Sequence, residues 1–399
     1  MILLPRLRSK VSQLDAAIRS DPALPIRIAY DAKAYTDEDQ GGGKGKYLAE
    51  LLSGIGPSTV GLMQDRRYDG DLPVIAHGKL GYLAWQQTTL PALIAAVRAD
   101  VFLAPYNTAP LLLPARTTLV SVIHDLILLE RPTHHRFLSR SKERYRGLLQ
   151  RQTMRRSNLL VAVSRFTADA IRRHVPEADV RVVYNTIGAS WFVERPLGPV
   201  AEPDQRYVLL VTSNVPHKNV TRAMEAFARF KAAMPNDPIA LRIAGVRSSA
   251  AQFQAMAKEL GVGGEVHVES FLSESELQML YRGATCALVP SLKEGFGIPA
   301  LEAMASGVPL ASSNTWSLPE VGGNAPLYFD PTDTGAMAST LERICGNQDL
   351  QRELASRGLE RAKAFHPSVV KQAIRHMWDD VARMTRDRPD RVTAARATS

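Results

Sequence analysis

The chain has 399 residues, 45% of them apolar and 22% charged, which are ordinary globular proportions and exclude the disordered and fibrous classes. At this length one hydrophobic core is too few, so two domains are expected. The net charge is +9, and residues 1–200 hold all of the excess, with 27 Lys and Arg against 18 Asp and Glu, while the remainder balances at 22 against 22.

Residues 1–25 precede the first strand-like run and read as a short amphipathic extension; their opening, Met1 to Arg6, is too short and too poorly ordered for a secretion signal. The first predicted strand is Ile26–Tyr30. Gly41-Gly42-Gly43-Lys44-Gly45-Lys46-Tyr47 follows and opens a helix over Tyr47–Leu52. A glycine loop after a strand lets the backbone turn tightly beside a phosphate or an acceptor group, with Gly43 and Lys44 as the contacts; the plain alternative is a surface loop. Strands are predicted at Val101–Ala104 and Leu119–Ile123, the second ending on His124-Asp125. An isolated histidine is usually structural, but a strand's carboxyl end is where ligands sit in open α/β sheets.

A basic run then spans Arg131 to Arg156, with Glu143 as its one acidic residue and Phe137, Leu138, Tyr145, Leu148, Leu149 and Met154 interleaved. Such a helix suits an anionic membrane surface or is a solvated face. Nucleic acid is disfavoured, because no aromatic-interleaved strand or recognition-helix pattern accompanies the charge. Strands at Leu159–Val163 and Val180–Tyr184 complete the first domain, 26–195. Glu194–Gln205 holds Pro196, Pro199 and Pro203 and reads as the linker.

The second domain, 206–366, begins with a strand at Tyr207–Thr212. Its sequel, Thr212-Ser213-Asn214-Val215-Pro216-His217-Lys218-Asn219, occupies the phosphate position of a nucleotide-binding fold. No G-x-G-x-x-G is present, so dinucleotide binding is not supported. Lys218 is a diphosphate partner or, taken alone, a solvated helix-start lysine. Helical periodicity over Val220–Ala232, Ser248–Leu260 and Glu274–Arg282 alternates with strands at Ala240–Ala244, Val266–Glu269, Thr285–Pro290 and Val308–Ser312. Near-continuous apolar strands alternating with helices imply parallel sheets covered on both faces, so the fold class is α/β with two doubly wound, Rossmann-like domains and a cleft between them.

The most informative segment runs from Pro290 to Gly307. A loop with two glycines follows the strand, Pro299 sits where a helix starts and Gly307 where it stops. Gly295, Phe296, Gly297 and Ile298 therefore present backbone N–H groups at a helix N-terminus, suited to an anion or a set of hydroxyls. Glu294 lies in the loop and Glu302 one turn into the helix, and carboxylates accept hydrogen bonds from vicinal sugar hydroxyls. Taken singly, Glu294 is equally a helix cap and Glu302 a surface residue. Residues beyond Asp387 read as a frayed tail. Cys286 and Cys345 have neither metal-ligand spacing nor the number for a disulfide framework, which fits a reducing compartment. No apolar run reaches bilayer-spanning length, and no internal repeat is evident.

In this order the clusters resemble the retaining GT-B glycosyltransferases of family four, from about Ile26 to Asp380. The glutamate pair, Glu294-Gly-Phe-Gly-Ile-Pro-Ala-Leu-Glu302, is the strongest part. His124–Leu126, Val163-Ser164, Tyr184-Asn185, Lys218-Asn219 and Ser317–Glu320 support it. The resemblance implies that Glu294 holds the donor sugar, Glu302 the ribose and Lys218 the diphosphate. It implies that the N–H groups of Gly295 to Gly297 bind hydroxyls and phosphate, that His124 sits against the transferred sugar, and that Glu269-Ser270-Phe271-Leu272 contacts the base. It further implies that a last helix, within 367–386, crosses back onto the first domain. Relatives often carry an arginine shortly before the lysine; here Ser213-Asn214 stand in that neighbourhood, so Lys218 carries more of the charge, or Arg165 or Lys44 substitutes.

The implied activity is same-face displacement from a nucleotide-diphosphate sugar, with neither metal nor cofactor. The stretch Asn214-x-x-x-Lys218-Asn219 points to mannosyl- or rhamnosyltransferases, with GDP-mannose first and UDP- or dTDP-sugars behind. The expected acceptor is a polyprenyl-diphosphate-linked glycan at the inner face of the plasma membrane, in bacterial surface polysaccharide assembly, and the expected location is cytoplasmic and peripheral. Rival readings are a nucleotide-sugar epimerase on the same fold, which needs a further acid/base set, and a non-catalytic assembly partner, which has no need of both glutamates.

Overall fold

The computed structural model describes residues 26–33, 43–53, 55, 59–64, 74–76, 81–130, 137–192, 206–246, 249–269 and 272–387, with the backbone alone for 137–142. The chain parts into two units. The first is Met1–Val183 with Lys371–Ser399, the second Tyr184–Val370. The expected linker, Glu194–Gln205, falls wholly outside the described residues, as do the N-terminal extension and the tail.

Among the described residues the first unit has seven parallel strands: β1 (Ile28–Asp31), β2 (Thr59–Met63), β3 (Val74–Ala76), β4 (Val101–Ala104), β5 (Thr118–Ile123), β6 (Leu159–Ala162) and β7 (Val180–Val182), in spatial order β3-β2-β1-β4-β5-β6-β7. The second has β8 (Tyr207–Val211), β9 (Ala240–Ala244), β10 (Val266–Glu269), β11 (Cys286–Val289), β12 (Leu310–Ser313) and β13 (Leu327–Phe329), in order β10-β9-β8-β11-β12-β13. Strands such as β4, β5, β6 and β11 are buried at every position. That burial is why they read as near-continuous apolar runs: a parallel strand covered by helices on both faces has no solvent side to mark with polar residues.

Each unit is thus a doubly wound sheet, as expected. β2, β3 and β13 were not foreseen. β3 and β13 have three residues each; β7 is as short but was foreseen within the longer apolar run Val180–Tyr184. β2 is interrupted by Gly61, where a Cβ would come within 3.0 Å of the Tyr30 hydroxyl, the Ala32 side chain and Val74; the close packing that requires glycine also dilutes the β-branched signal.

In both sheets the winding reverses beside the first strand, between β1 and β4 in one unit and between β8 and β11 in the other. Adjacent strands whose connections leave in opposite directions open a crevice at their carboxyl ends. In the second unit Lys218, Glu294 and the glycine loop lie on the connections after β8 and β11, and Glu302 on the helix that follows the latter.

The last helix, Pro367–Arg386, begins in the second unit and belongs to the first from Lys371 onward. Trp378 Nε1 donates to the Leu51 carbonyl at 2.8 Å, and Arg181 Nε donates to Asp380 Oδ2 at 2.7 Å. Trp378 and Met377 are buried on this face. No described helix is long and apolar enough to cross a membrane.

Candidate active site

The loop after β8 ends in a 3-10 turn, Pro216–Lys218, with Pro216 at its first position. Asn219 then adopts a left-handed conformation, φ 61°, before the helix Val220–Ala233. Asparagine tolerates that region and carries two amide protons. Both are used: Asn219 Nδ2 donates to the carbonyls of Pro290 (3.0 Å) and Pro331 (2.7 Å). The Leu292 N–H donates to the His217 carbonyl at 2.8 Å. The lysine turn is therefore laced to the loop that follows β11.

That second loop is held as tightly. Ser313 Oγ donates to the Ser291 carbonyl at 2.6 Å. Buried Ser317 Oγ lies 2.8 Å from the Glu294 carbonyl and 2.9 Å from that of Phe296. The Phe296 ring packs with Tyr184 and Phe365 at centroid distances of 6.1 and 5.4 Å, so its side chain anchors the loop and only its backbone is left for a ligand. Gly297 has φ +106°, and a Cβ there would come 2.6 Å from Leu318 Cδ2. This residue caps the helix Ile298–Ala305 without any side-chain hydrogen bond.

Glu294 is therefore not a helix cap. Its Oε1 accepts from Lys218 Nζ at 2.6 Å and from Ser291 Oγ at 2.7 Å. Glu302 is not a surface residue either: it is buried, and Oε2 accepts from the Tyr281 hydroxyl at 3.0 Å. Tyr281 is itself buried, and burial together with the neighbouring carboxylate holds its hydroxyl well above the usual tyrosine range, so it stays a donor. Trp191 packs edge-on against it at 5.5 Å and donates from Nε1 to Glu274 Oε1 at 2.8 Å. The sequence signals thus meet in space for Lys218, Glu294 and the glycine loop, with the helix bearing Glu302 directly after them.

The other residues singled out in this unit are placed differently. Asn214 Nδ2 donates to Ser249 Oγ (2.6 Å) and Gln252 Oε1 (3.1 Å), so its amide is turned toward the helix Ala250–Glu259. Ser213 is exposed, and its carbonyl accepts from the Val215 N–H at 2.8 Å. Leu272 is half-buried just before the helix Glu274–Gly283, whose capping box joins Ser273 and Glu276; Ser270 and Phe271 lie outside the described residues. Sequence reasoning missed the roles of Ser291 and Gly245, and it had Ser317 only as the start of Ser317–Glu320, without its clamp on the Glu294 loop. Gly245, at φ +89°, follows β9 and would place a Cβ 2.7 Å from the Thr212 carbonyl, so the loop after β9 presses on the loop after β8. The one available signal was a glycine directly after an apolar strand.

In the first unit, His124 follows β5 and is buried. Its N–H donates to Asn107 Oδ1 at 2.7 Å, Nε2 lies 2.8 Å from the Pro105 carbonyl, and Tyr47 packs edge-on at 5.7 Å. Burial, with Lys44 nearby and only partly opposed by the Pro105 carbonyl, lowers its pKa to about 3. The ring is neutral above that pH. Contact with a carbonyl assigns the proton to Nε2, which makes Nδ1 the acceptor nitrogen.

The expected glycine loop is corrected: Gly43 to Lys46 form the first turn of the helix Gly43–Leu52, four residues earlier than expected, while Gly41 and Gly42 lie outside the described residues. Gly45 is buried along with Tyr47, Leu48, Leu51 and Leu52. This packed face outweighs the poor helix propensity of two glycines. Gly43 and Lys44 are exposed on that turn. Also missed was Asp31, at the carboxyl end of β1 and beside the point where the winding reverses. It is buried, accepts from the Tyr82 hydroxyl at 2.6 Å and the Lys33 N–H at 3.1 Å, and burial pushes its carboxyl up to about 6. No cluster of three or more His, Cys, Asp or Glu suited to a metal ion occurs among the described residues.

Two family models match the chain: the one described as Glycosyl transferases group 1 over residues 198–361, and Glycosyltransferase Family 4 over residues 55–190. The MMP alpha-(1->4)-mannosyltransferase of Mycolicibacterium hassiacum is 32% identical over 160 residues, which is 39% of this chain and 38% of that protein. The O-antigen chain mannosyltransferase RfbU of Salmonella typhimurium is 29% identical over 241 residues, 60% of this chain and 63% of that protein. The matched stretch thus spans less than two thirds of either relative. Among solved structures, HepE from Anabaena in complex with UDP-glucose gives a TM-score of 0.71 at 17% identity, over 89% of this chain and 100% of that chain. This is a likeness of fold, the GT-B fold.

Proposed function

This chain belongs to the group 1 glycosyltransferases of family four, and from that premise we propose that it is a retaining mannosyltransferase using GDP-mannose. One observation carries the reading: Lys218 Nζ and Glu294 Oε1 meet at 2.6 Å where the winding of the second sheet reverses. A cation for a diphosphate and a carboxylate for sugar hydroxyls thereby share one spot at strand carboxyl ends. Lys218 and the N-terminus of the helix Ile298–Ala305 stabilise the departing diphosphate, the role a metal plays elsewhere. Glu294 orients the sugar and Glu302 binds the ribose, while the N–H groups of Gly295 to Ile298 bind phosphate and hydroxyls. For His124 the proposed role is a hydrogen bond from a substrate hydroxyl to Nδ1. The departing phosphate oxygen takes the acceptor proton as the acceptor attacks the face that the diphosphate leaves, so the anomeric configuration is kept.

The names of the relatives support mannose as the sugar, and an O-antigen relative supports a polyprenyl-diphosphate-linked glycan as the acceptor. The experiment is a panel of GDP-, UDP- and dTDP-sugars incubated with a lipid-diphosphate acceptor extract, with and without EDTA, and products read by mass spectrometry and NMR. The expected result is transfer from GDP-mannose, undiminished by EDTA, with retained configuration. An inverted anomer overturns the mechanism. Isomerised sugar without acceptor favours an epimerase instead.

An anionic membrane surface is the second proposed partner. On the helix Phe137–Arg156, Arg144, Arg146, Arg155 and Arg156 are exposed beside Tyr145 and Leu148, which are 44% and 62% exposed. Exposed apolar side chains flanked by arginines suit insertion at a headgroup boundary. Flotation is expected to recover the protein with anionic liposomes and not with neutral ones; equal recovery removes the electrostatic attraction from the account.

A further inference from the structure

Lys218 and Glu294 are the two groups assigned above to the donor's phosphates and sugar, and they are bound to each other. The contact is built rather than incidental. Only 19% of the lysine side chain and 12% of the glutamate side chain are exposed. The same Glu294 oxygen accepts a second hydrogen bond from Ser291. The lysine turn is pinned by Asn219 and the glutamate backbone by Ser317. Preorganised, partly buried pairs of this kind escape the entropy and screening that make surface salt bridges nearly neutral.

The pairing has different consequences for two ligands that share their phosphates. A nucleoside diphosphate draws Lys218 toward its own charge and leaves Glu294 with Ser291 alone, largely buried and facing further negative charge. An uncompensated, desolvated carboxylate is expensive. A nucleotide sugar brings phosphate to the lysine and hydroxyl donors to the carboxylate, so both halves of the broken pair are satisfied again. We propose that the Lys218–Glu294 ion pair discriminates against the nucleoside diphosphate: it weakens binding of the sugarless product relative to the nucleotide sugar, and it re-forms to expel that product after transfer. This rests on the reading of these two residues as the donor site.

Calorimetric titration with GDP and UDP tests it on the full chain, with unfolding midpoints confirming that each variant is folded. Glu294→Gln is expected to bind the preferred diphosphate about tenfold tighter, a change of ~1.4 kcal/mol, and product inhibition is expected to strengthen in step. Glu294→Ala, which demands no hydrogen-bond fit, is expected to move the same way. Lys218→Ala is expected to lose most diphosphate affinity, and adding Glu294→Gln to it is expected to restore none. If Glu294→Gln and Glu294→Ala bind no tighter than the parent while Lys218→Ala still loses affinity, the discriminating role is overturned and the donor-site reading stands. Equal tightening with and without Lys218 also overturns it, because plain charge repulsion then suffices. If Lys218→Ala leaves diphosphate affinity unchanged, the donor-site reading itself fails.

Discussion

Replacing Glu294 with alanine is expected to lower kcat/KM for the proposed glycosyl transfer by roughly 30- to 1000-fold, the ~2–4 kcal/mol typical of one lost transition-state contact. The carboxylate is held in place by Lys218 and Ser291 on one oxygen and by the Ser317 clamp on its own backbone, so the loop survives loss of the side chain. What disappears, on the proposed reading, is the acceptor for the donor sugar's hydroxyls. The orientation of the anomeric carbon, an entropic contribution to the barrier, goes with it. The same variant is expected to hold nucleoside diphosphate more tightly, so turnover and product affinity move in opposite senses. Steady-state kinetics with the preferred donor checks this. Activity within a factor of two of the parent removes Glu294 from the donor site.

Gly297→Ala is expected to destabilise the second unit by ~2–5 kcal/mol. Part is conformational, since a left-handed residue other than glycine costs ~1–2 kcal/mol. The rest is steric: the new Cβ would sit 2.6 Å from Leu318 Cδ2, and forced overpacking costs about 1–3 kcal/mol. For a unit of this size the unfolding midpoint should fall by about 4–20 °C. Gly261→Ala is the control, because Gly261 has φ +75° but no heavy atom within 4 Å of its would-be Cβ. It should show the conformational part alone, and thermal or denaturant unfolding of the two variants separates the contributions. Equal losses at the two positions would mean that Leu318 yields freely and that the loop is less tightly packed than its geometry implies.

The Gly297 helix also shows why this segment was legible early. Glycine at the cap, proline in the first turn and Gly307 after the last are local devices, each needed by the backbone at that point, so they appear in the sequence as punctuation. The first turn of the helix Gly43–Leu52 shows the reverse. Gly-Lys-Gly-Lys is a loop by propensity, and only burial of Gly45 and the leucines behind it makes those residues helical. Asp31 carried no readable signal either, because a lone Asp at a strand end is common in surface turns; Ser317 was legible as the start of Ser317–Glu320, but not as the clamp on the Glu294 loop.

What the sequence determined by itself is the pair of doubly wound sheets and the loop-to-helix element that presents Glu294. Strands covered on both faces must be apolar throughout, and helix ends need particular residues. Tertiary structure alone decided that Lys218 would touch Glu294, 76 positions away, that Glu302 would be buried against Tyr281, and that Ser317 would clamp the loop. The first of those contacts depends on β8 lying beside β11, and the Ser317 clamp on β12 lying on the other side of β11. Strand order is set by which crossovers pack best over the whole sheet, and no local stretch of residues encodes it.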